Sequence, residues 1–379
     1  MSRGDRGAVP DFESLAQPGI RGLRAYDPGL DIVALRRAWA PGRLVELGSN
    51  ENALGPSPSA REAALASLAD IHRYPDPLGS ALKAAIAEHS DVAPAQVVLG
   101  NGSHELLMML AQVFAGPGRA VLASQFGFAV YALAAQAAGA RLDLAPAFGA
   151  EAAMPRGHDL EAMAAACRAD TGLVYLANPN NPTATWFDAG ALARFLDAVD
   201  PRCIVVVDEA YIEYATDPAL GSAVRLLGEY PNLVVTRTFS KAHGLAGLRV
   251  GYLLAHPRLA AIVERVRESF NVSVPGLAAA TAALADAAHL AWVREENARE
   301  RDWLAAGLRE RGVRVGPSQT NFLLLDFGRT AAPVEAALLD EGVVPRPMSG
   351  YGLPGHSRLT VATRAENLVL LAALDRALA

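Results

Sequence analysis

The amino-acid sequence predicts an α/β protein with a large, mostly parallel seven-stranded sheet and a second, smaller α+β unit. Between residues 91 and 255, short runs of Val, Leu and Ile alternate with alanine-rich stretches. This alternation is typical of parallel strands that are covered by helices on both faces. The strand-like runs are mostly unbroken by polar residues, which indicates burial on both sides of the sheet. After Phe270 the pattern changes to long helices and isolated strands, so the second unit is predicted to be α+β.

The predicted elements follow in order along the chain. A proline- and glycine-rich opening, residues 18–58, has few periodic segments and is expected to be an arm that packs on another unit. The seven strands are predicted at residues 96–99, 120–123, 141–144, 172–176, 203–208, 233–236 and 250–255. Long helices follow within 278–312, then strands at 321–327 and 358–362 and a helix from about Glu366. The chain is thus divided into an N-terminal arm with part of the small domain (1–60), a large α/β domain (61–275) and a C-terminal small α+β domain (276–379).

Composition excludes several classes of protein. The 379 residues are enough for two to three compact units, at roughly 150 residues per domain. Lys and Arg number 34 against 40 Asp and Glu, and a net charge of −6 offers no basic surface for nucleic acid. With 51% hydrophobic and 20% charged residues, the chain can bury enough apolar surface to fold.

Cysteine usage and the N-terminal residues bear on location. Cys167 and Cys203 lie in apolar stretches without metal-ligand spacing, so both are expected to be buried thiols, with no disulfide and no metal site. The first residues show no signal or transit pattern, and the alanine-rich stretch 129–140 is too short to span a bilayer. The sequence therefore predicts a cytoplasmic protein without a membrane segment.

The segment richest in chemical groups is the glycine-punctuated loop at residues 238–251, TFSKAHGLAGLRVG. Lys241 directly follows Ser240 at the end of an apolar strand. Burial lowers the pKa of a lysine and favours the neutral amine, which can form a Schiff base. Ser240 and Arg249 could hold a phosphate through a hydroxyl hydrogen bond and a guanidinium contact. A surface loop with two unrelated cations is the alternative at this point.

A second cluster, CIVVVDEAY at residues 203–211, ends an apolar strand with two acids and a tyrosine. Open α/β sheets bind ligands beyond the carboxyl ends of their strands, where Asp208 would emerge. Asp208 could pair with a protonated pyridine nitrogen, and Tyr211 could reach the phenolic oxygen of the same ring. Alternatively, Asp208 caps the next helix. Glu209 is interpreted as a structural ion-pair partner.

Three further segments follow predicted strands. NPNNPT at 178–183 predicts a rigid turn that could present the Asn181 amide to a ligand, with a plain turn as the alternative. Gly100 to Glu105 lacks the third glycine of a dinucleotide-binding fingerprint, but it opens a helix whose first amides favour an anion. Phe128 could stack on a planar cofactor or belong to the core.

Together these segments resemble the fold-type I aminotransferases that use pyridoxal phosphate, specifically the histidinol-phosphate aminotransferase family. The resemblance runs over nearly the whole chain. The matching pieces are SNENALGPSP (49–58), RYPD (73–76), GNGSHELL (100–107), NPNNPT (178–183), VVDEAY (206–211), RTFSKAHGLAGLRVGY (237–252), RPMSGYGLP (346–354) and RLTVATRAEN (358–367).

The resemblance implies a role for each matching residue. Lys241 is the Schiff-base lysine and proton carrier, Asp208 partners the pyridine nitrogen, and Tyr211 and Asn181 contact the ring oxygen. The implied cofactor site is completed by Gly102, Ser103, His104, Ser240 and Arg249 around the phosphate and Phe128 on the ring. Tyr74 is expected to reach the phosphate of the neighbouring subunit's cofactor, which implies a homodimer with shared active sites. Arg358, Tyr26 and Asn181 are the implied substrate contacts.

The implied reaction is amino transfer between L-histidinol phosphate and 2-oxoglutarate, as in histidine biosynthesis. An aromatic amino-acid aminotransferase is the alternative, and a threonine-phosphate decarboxylase is a third. From another class of protein, a ligand-sensing regulator is a further alternative, and it would need an appended basic DNA-binding domain. Three positions depart from the family pattern and bear on substrate preference: Ala184 and Ala362 stand where glycine is usual, and His243 stands where tyrosine is usual. His104 and His356 are otherwise interpreted as solvated polar residues.

Overall fold

The computed structural model describes residues 11–24, 30–40 and 44–378, so Tyr26 lies outside the described residues. The strands are β1 (Val45–Glu46), β2 (Val97–Gly100), β3 (Ala120–Ser124), β4 (Leu142–Ala145), β5 (Thr171–Ala177), β6 (Ile204–Asp208), β7 (Leu233–Thr238), β8 (Gly251–Ala255), β9 (Arg314–Val315), β10 (Phe322–Asp326), β11 (Val343–Val344), β12 (Arg346–Pro347) and β13 (His356–Thr360).

The α-helices are α1 (Phe12–Leu15), α2 (Ile32–Ala38), α3 (Pro58–Ser67), α4 (Ser80–Ser90), α5 (Gly102–Phe114), α6 (Ala129–Ala137), α7 (Leu160–Ala166), α8 (Ala189–Ala198), α9 (Pro257–Val263), α10 (Val274–Ala285), α11 (Ala287–Glu310), α12 (Ala332–Asp340) and α13 (Arg364–Leu378). Many begin at a side chain that accepts a hydrogen bond from the first turn, which satisfies an amide that the helix itself leaves unpaired. Ser57 caps α3, Ser273 caps α10 and Asp286 caps α11.

The large sheet has seven strands in the order β2-β8-β7-β6-β5-β3-β4. The strands β3 to β7 run parallel, whereas β8 is antiparallel to both β2 and β7. The seven strands predicted from the apolar runs are confirmed, each with bounds shifted by at most two residues. The edge strand β4 differs from the expected burial on both faces, because Leu144 on it is 57% exposed.

Helices cover both faces of the large sheet. Alternate residues of each strand point to opposite faces, and two separate apolar clusters result. One cluster packs the sheet against α4, α7, α8 and α10, and the other packs it against α5, α6 and α9. The α/β architecture expected from the sequence, with a mostly parallel seven-stranded sheet, is thereby confirmed.

A smaller antiparallel sheet, in the order β12-β13-β10-β9, follows in the C-terminal part of the chain. Its core is built with α11, α12 and α13, and the short parallel pair β1–β11 brings Val45 and Leu47 into the same cluster. Helix α10 packs on α3 and buries Ala279, Ala280 and Ala283 against the large sheet. The segment after residue 275 therefore begins with a helix of the large unit, and the domain division otherwise stays a prediction.

The N-terminal segment contacts the same chain. Gly19 lies so close to the end of α6 that a side chain there would overlap the Gln136 carbonyl and Gly139.

Cys203 is buried as expected, but Cys167 is only half-buried, and both are free thiols. Among the described residues, no single helix has the length and apolar composition to cross a membrane, although α10 and α11, bent by 79°, pass that test when taken together.

Candidate active site

A cavity of about 320 Å³ lies at the carboxyl ends of β5, β6 and β7, between the large sheet and the smaller antiparallel sheet. Parallel strands bring their carboxyl ends to one edge, which is why segments distant in sequence meet here. The cavity is lined by Gly48, Ser49, Asn50, Ser103, His104, Phe128, Ala177, Pro179, Asn181, Asp208, Ala210, Tyr211, Thr238, Ser240, Lys241, Arg249, Arg346, Tyr351 and Arg358.

Asp208 ends β6 and is buried at the cavity wall. Its Oδ1 accepts a hydrogen bond from the Thr236 hydroxyl, and its Oδ2 accepts one from the Tyr131 hydroxyl, each at 3.1 Å. Burial raises the pKa of Asp208 to about 6, against the opposing effect of these two hydrogen bonds. The carboxyl group also hydrogen-bonds the backbone of Ala210, but it does not cap a helix, because the next helical turn, residues 212–214, has Tyr211 as its N-cap. The capping alternative is therefore wrong.

Lys241 follows β7 and projects its amine into the cavity. Its Nζ donates to the backbone carbonyls of Ser49 and Asn50, each at 3.1 Å. Burial lowers the pKa of Lys241 to about 7, and the positive charges of Arg358 and Arg249 act in the same direction. A large fraction of the amine is therefore neutral near physiological pH, which is the form that acts as nucleophile and base.

Tyr211 is held by a residue that the sequence analysis did not select. Its hydroxyl oxygen accepts a hydrogen bond from Nδ2 of Asn50 at 3.0 Å, and its ring meets the edge of Phe322 at 5.1 Å. Asn50 adopts a positive φ of 54°, and its amide N–H donates to the Thr360 hydroxyl at 3.0 Å. Its place in the segment SNENALGPSP was the available signal.

An anion-binding cradle lies at the start of α5. Arg249, with a positive φ of 54°, directs its guanidinium toward Gly102, and Nη1 donates to the Ser240 hydroxyl at 3.4 Å. Gly102 has a φ of +77°, and a side chain there would overlap Nη2 of Arg249. Ser103 and His104 follow in the first turn, where backbone N–H groups lack partners within the helix. His104 is half-buried and lines the cavity.

Arg358 forms the wall on the side of the smaller sheet. Its Nη1 donates to Oδ1 of Asn181 and its Nη2 to the carbonyl of Gly48, each at 2.6 Å. Arg346 lies directly opposite Arg358 on the neighbouring antiparallel strand, and both line the cavity. In the sequence, Arg346 stood out only as part of RPMSGYGLP, a stretch that resembles the family, and that stretch was the available signal.

The NPNNPT turn has cis peptide bonds before Pro179 and Pro182. Asn180 fixes the turn by donating to the carbonyl of Phe126 at 2.9 Å and to the hydroxyl of Thr183 at 2.7 Å. Ala184, which replaces a usual glycine, keeps a positive φ of 63° and is fully buried. Glycine adopts such a left-handed backbone without strain, which agrees with the glycine that the family resemblance leads one to expect here.

Some selected residues lie elsewhere. Tyr74 is 82% exposed and does not line the cavity; its ring stacks on Phe270 at 4.6 Å.

Glu209 is buried in an ion pair with Arg237, whose Nη2 donates to Oε2 at 2.8 Å, so the structural interpretation is confirmed. His356 is buried with Asp326 at 3.5 Å, which contradicts a solvated residue. His243 is also buried, with its ring against Phe239.

The chemistry of these groups fits a phosphorylated pyridine aldehyde. The cradle at Gly102, Ser240 and Arg249 supplies donors for a phosphate, and Asp208 supplies an acceptor for a ring N–H. Oδ1 of Asn50 is buried without a hydrogen-bond partner among the described residues, which also indicates a polar ligand near Tyr211.

Comparison with known proteins decides the family. Residues 43–374 match the family described as aminotransferase class I and II. The chain belongs to this family. It is 49% identical to histidinol-phosphate aminotransferase 2 of Methylococcus capsulatus, over 96% of this chain and 98% of that protein. It is 47% identical to histidinol-phosphate aminotransferase 2 of Pseudomonas fluorescens, over 97% and 99% of the two chains.

Among solved structures, this class I and II aminotransferase is similar to histidinol-phosphate aminotransferase from Sinorhizobium meliloti in complex with pyridoxal 5′-phosphate. The TM-score is 0.87 and the identity is 33%, with 96% of this chain and 98% of that chain covered. The resemblance inferred from the sequence motifs is thus confirmed at the level of the family.

Proposed function

We propose that this protein is a pyridoxal phosphate-dependent aminotransferase that transfers an amino group between L-histidinol phosphate and 2-oxoglutarate. The observation that carries the proposal is the presence in one cavity of a lysine with a depressed pKa, a buried aspartate and a serine–arginine anion cradle. The names of the relatives and the cofactor of the S. meliloti structure support it.

The proposed cofactor contacts follow from the chemistry of each wall. Arg249, Ser240, Ser103, His104 and the backbone beside Gly102 would hold the phosphate, because a guanidinium, a hydroxyl and free amides all donate to phosphate oxygens. Asp208 would keep the ring nitrogen protonated, and Tyr211 and the amide NH2 of Asn181 would contact the ring oxygen. Phe128 would stack on the ring. When bound, the pyridinium ring withdraws electrons from the reacting carbon of the substrate.

Lys241 has two proposed tasks. Its neutral amine would hold the cofactor, and the same amine, when free, would move a proton at the substrate carbon. The carbonyls of Ser49 and Asn50 accept from Nζ and therefore fix where the freed amine rests. A base held at one place in the cavity can return the proton on one face of the substrate.

Substrate recognition is assigned to the arginine pair. Glutamate presents carboxylates and histidinol phosphate presents a phosphate, so the site needs cations that grip either oxyanion. A guanidinium pairs bidentately with both groups. Arg358 and Arg346 lie opposite each other and both line the cavity, so a doubly charged anion also relieves the repulsion between them. Tyr26 is proposed as a further substrate contact.

We further propose a homodimer with shared active sites, in which Tyr74 reaches the phosphate of the partner's cofactor. Exposed apolar side chains in this part of the chain support this assembly, since Leu65, Leu68, Ile71, Tyr74 and Leu78 are all exposed large hydrophobic residues. The cytoplasmic location expected from the sequence stays a prediction.

The decisive experiment compares kcat/KM for L-histidinol phosphate with kcat/KM for phenylalanine and tyrosine, each with 2-oxoglutarate as acceptor. We expect a clear preference for histidinol phosphate. A preference for the aromatic amino acids on the order of a hundredfold, or about 2.7 kcal/mol, would reject the phosphate ester and favour an aromatic amino-acid aminotransferase. Release of carbon dioxide from threonine phosphate would indicate the decarboxylase instead.

A further inference from the structure

The ionisation of Asp208 is not guaranteed by its position. The carboxyl group is buried, and burial alone favours the neutral acid. The negative charge of neighbouring Glu209 acts in the same direction. Hydrogen bonds that prefer the charged form oppose these effects: the side chains of Thr236 from β7 and Tyr131 from α6 supply two of them, and the backbone of Ala210 supplies a weaker one.

Tyr131 is built into the wall with little freedom to move. It is fully buried, and its ring stacks on Tyr175 from β5 with a centroid distance of 4.6 Å and an angle of 6° between the planes. The edge of the same ring meets Phe128 at 5.9 Å and 90°. Two aromatic contacts therefore fix the direction in which the Tyr131 hydroxyl points.

The proton of this hydrogen bond belongs to the tyrosine. Burial, and next to it the charge of Asp208, hold the pKa of Tyr131 well above its usual range. Tyr131 is therefore protonated and donates, and Oδ2 of Asp208 accepts. Oδ1 accepts from Thr236 in the same way, so each carboxylate oxygen has one side-chain donor, and the backbone of Ala210 also hydrogen-bonds the carboxylate.

We propose that Tyr131 is a positioning residue that holds Asp208 ionised and fixed in orientation toward the cofactor ring. The inference rests on the proposed function only for the identity of the group that faces Asp208, a pyridine nitrogen. Tyr131 itself is proposed to touch neither substrate nor cofactor; it acts through Asp208.

Tyr175 supplies a matched control. It is the stacking partner of Tyr131 and is equally buried, but its hydroxyl donates to the backbone carbonyl of Leu107 in α5 at 2.6 Å. Tyr131→Phe and Tyr175→Phe therefore each remove one buried hydroxyl from the same pair of rings. Only the first removes a donor from Asp208.

The test measures cofactor retention and the absorbance of the bound cofactor as a function of pH in the holoenzyme. We expect Tyr131→Phe to raise the dissociation constant for pyridoxal phosphate about tenfold, the size typical of a lost hydrogen bond to a charged group. Because Asp208 loses a donor and its pKa rises, the absorbance titration should also shift. Tyr175→Phe should leave both quantities within about twofold of wild type, even where both variants lower the unfolding temperature.

A double-mutant cycle adds a second criterion. In an Asp208→Asn background, Tyr131→Phe is expected to change cofactor retention by less than about twofold, since the charge on which it acts is gone. Equal effects of Tyr131→Phe and Tyr175→Phe on cofactor retention would overturn the proposal. So would a Tyr131→Phe variant that retains the cofactor as well as a wild type that binds it normally. A wild-type protein that does not bind pyridoxal phosphate overturns the proposed function as well.

Discussion

The guanidinium of Arg249 occupies the space that a side chain on Gly102 would need. The two residues are 147 positions apart, by 249 − 102, and meet because β2 pairs with β8 in the large sheet. Gly102 also has a φ of +77°, so the start of α5 requires glycine for two independent reasons. The absence of a side chain on Gly102 thus leaves room for the guanidinium of Arg249 in the anion cradle.

Gly102→Ala tests this relationship. The substitution should displace Arg249 and weaken binding of pyridoxal phosphate about tenfold or more, as measured by fluorescence titration. Gly118→Ala is the control, because Gly118 has a similar φ of +82° but no neighbouring atom within 4 Å of the position that a Cβ would take. It should lose about 1 kcal/mol of stability and retain cofactor affinity. Equal affinities for the two variants would show that steric access is irrelevant.

Lys241→Ala should abolish the visible absorbance of the covalently bound cofactor and nearly all turnover, because no other amine of the described residues lines the cavity. The measurement is borohydride reduction of the wild type followed by peptide mapping. Label on any lysine other than Lys241 would refute the assignment.

Attachment of the cofactor to Lys241 should depend on pH with a midpoint near 7. Burial, aided by Arg358 and Arg249, lowers the pKa of Lys241 from 10.5 to about 7, and only the neutral amine attacks an aldehyde. The attachment rate to cofactor-free protein should rise up to about pH 7 and then level off in stopped-flow absorbance. A continued rise toward pH 10 would contradict it. The unfolded chain binds more protons between about pH 7 and 10.5, so stability from this group rises with pH there.

Arg358→Lys should weaken both half-reactions, because an ammonium cannot grip an oxyanion bidentately or keep the contacts with Asn181 and Gly48 together. The expected loss is about 2 to 5 kcal/mol in apparent binding, measured as KM for each substrate. Arg364→Lys is the control, since Arg364 pairs with Glu300 and lies over Trp303 outside the cavity. If it raised KM as much as Arg358→Lys, a specific role for Arg358 would be excluded.

Tyr74→Ala and Lys241→Ala subunits, each inactive alone, should regain activity when mixed. One site of the heterodimer then contains both groups intact, as the proposed trans role of Tyr74 requires. Mixing Lys241→Ala with the double variant Tyr74→Ala/Lys241→Ala should restore nothing and serves as the control. If activity does not recover although subunit exchange is demonstrated, the shared-site proposal is wrong.

The local pattern of apolar residues in the sequence determined the strands of the large sheet and two residues of the candidate site. Most strands of the large sheet are visible as apolar runs because burial on two faces disfavours polar residues, whereas the edge strand β4 is partly exposed and β7 ends in Thr236, Arg237 and Thr238. The same logic explains why Lys241 and Asp208 were found. Each stands where an apolar run ends, and the carboxyl ends of parallel strands converge on one edge.

Only the tertiary structure decided which distant groups support these residues. Asn50 reaches Tyr211 across 161 positions and Thr360 across 310, and Tyr131 reaches Asp208 across 77. Arg346 is opposite Arg358 through strand register, and Tyr74 stays outside its own chain's cavity. Periodicity records whether a side chain is buried, but not which partner it meets, because partners are set by strand order and by the packing of the two sheets.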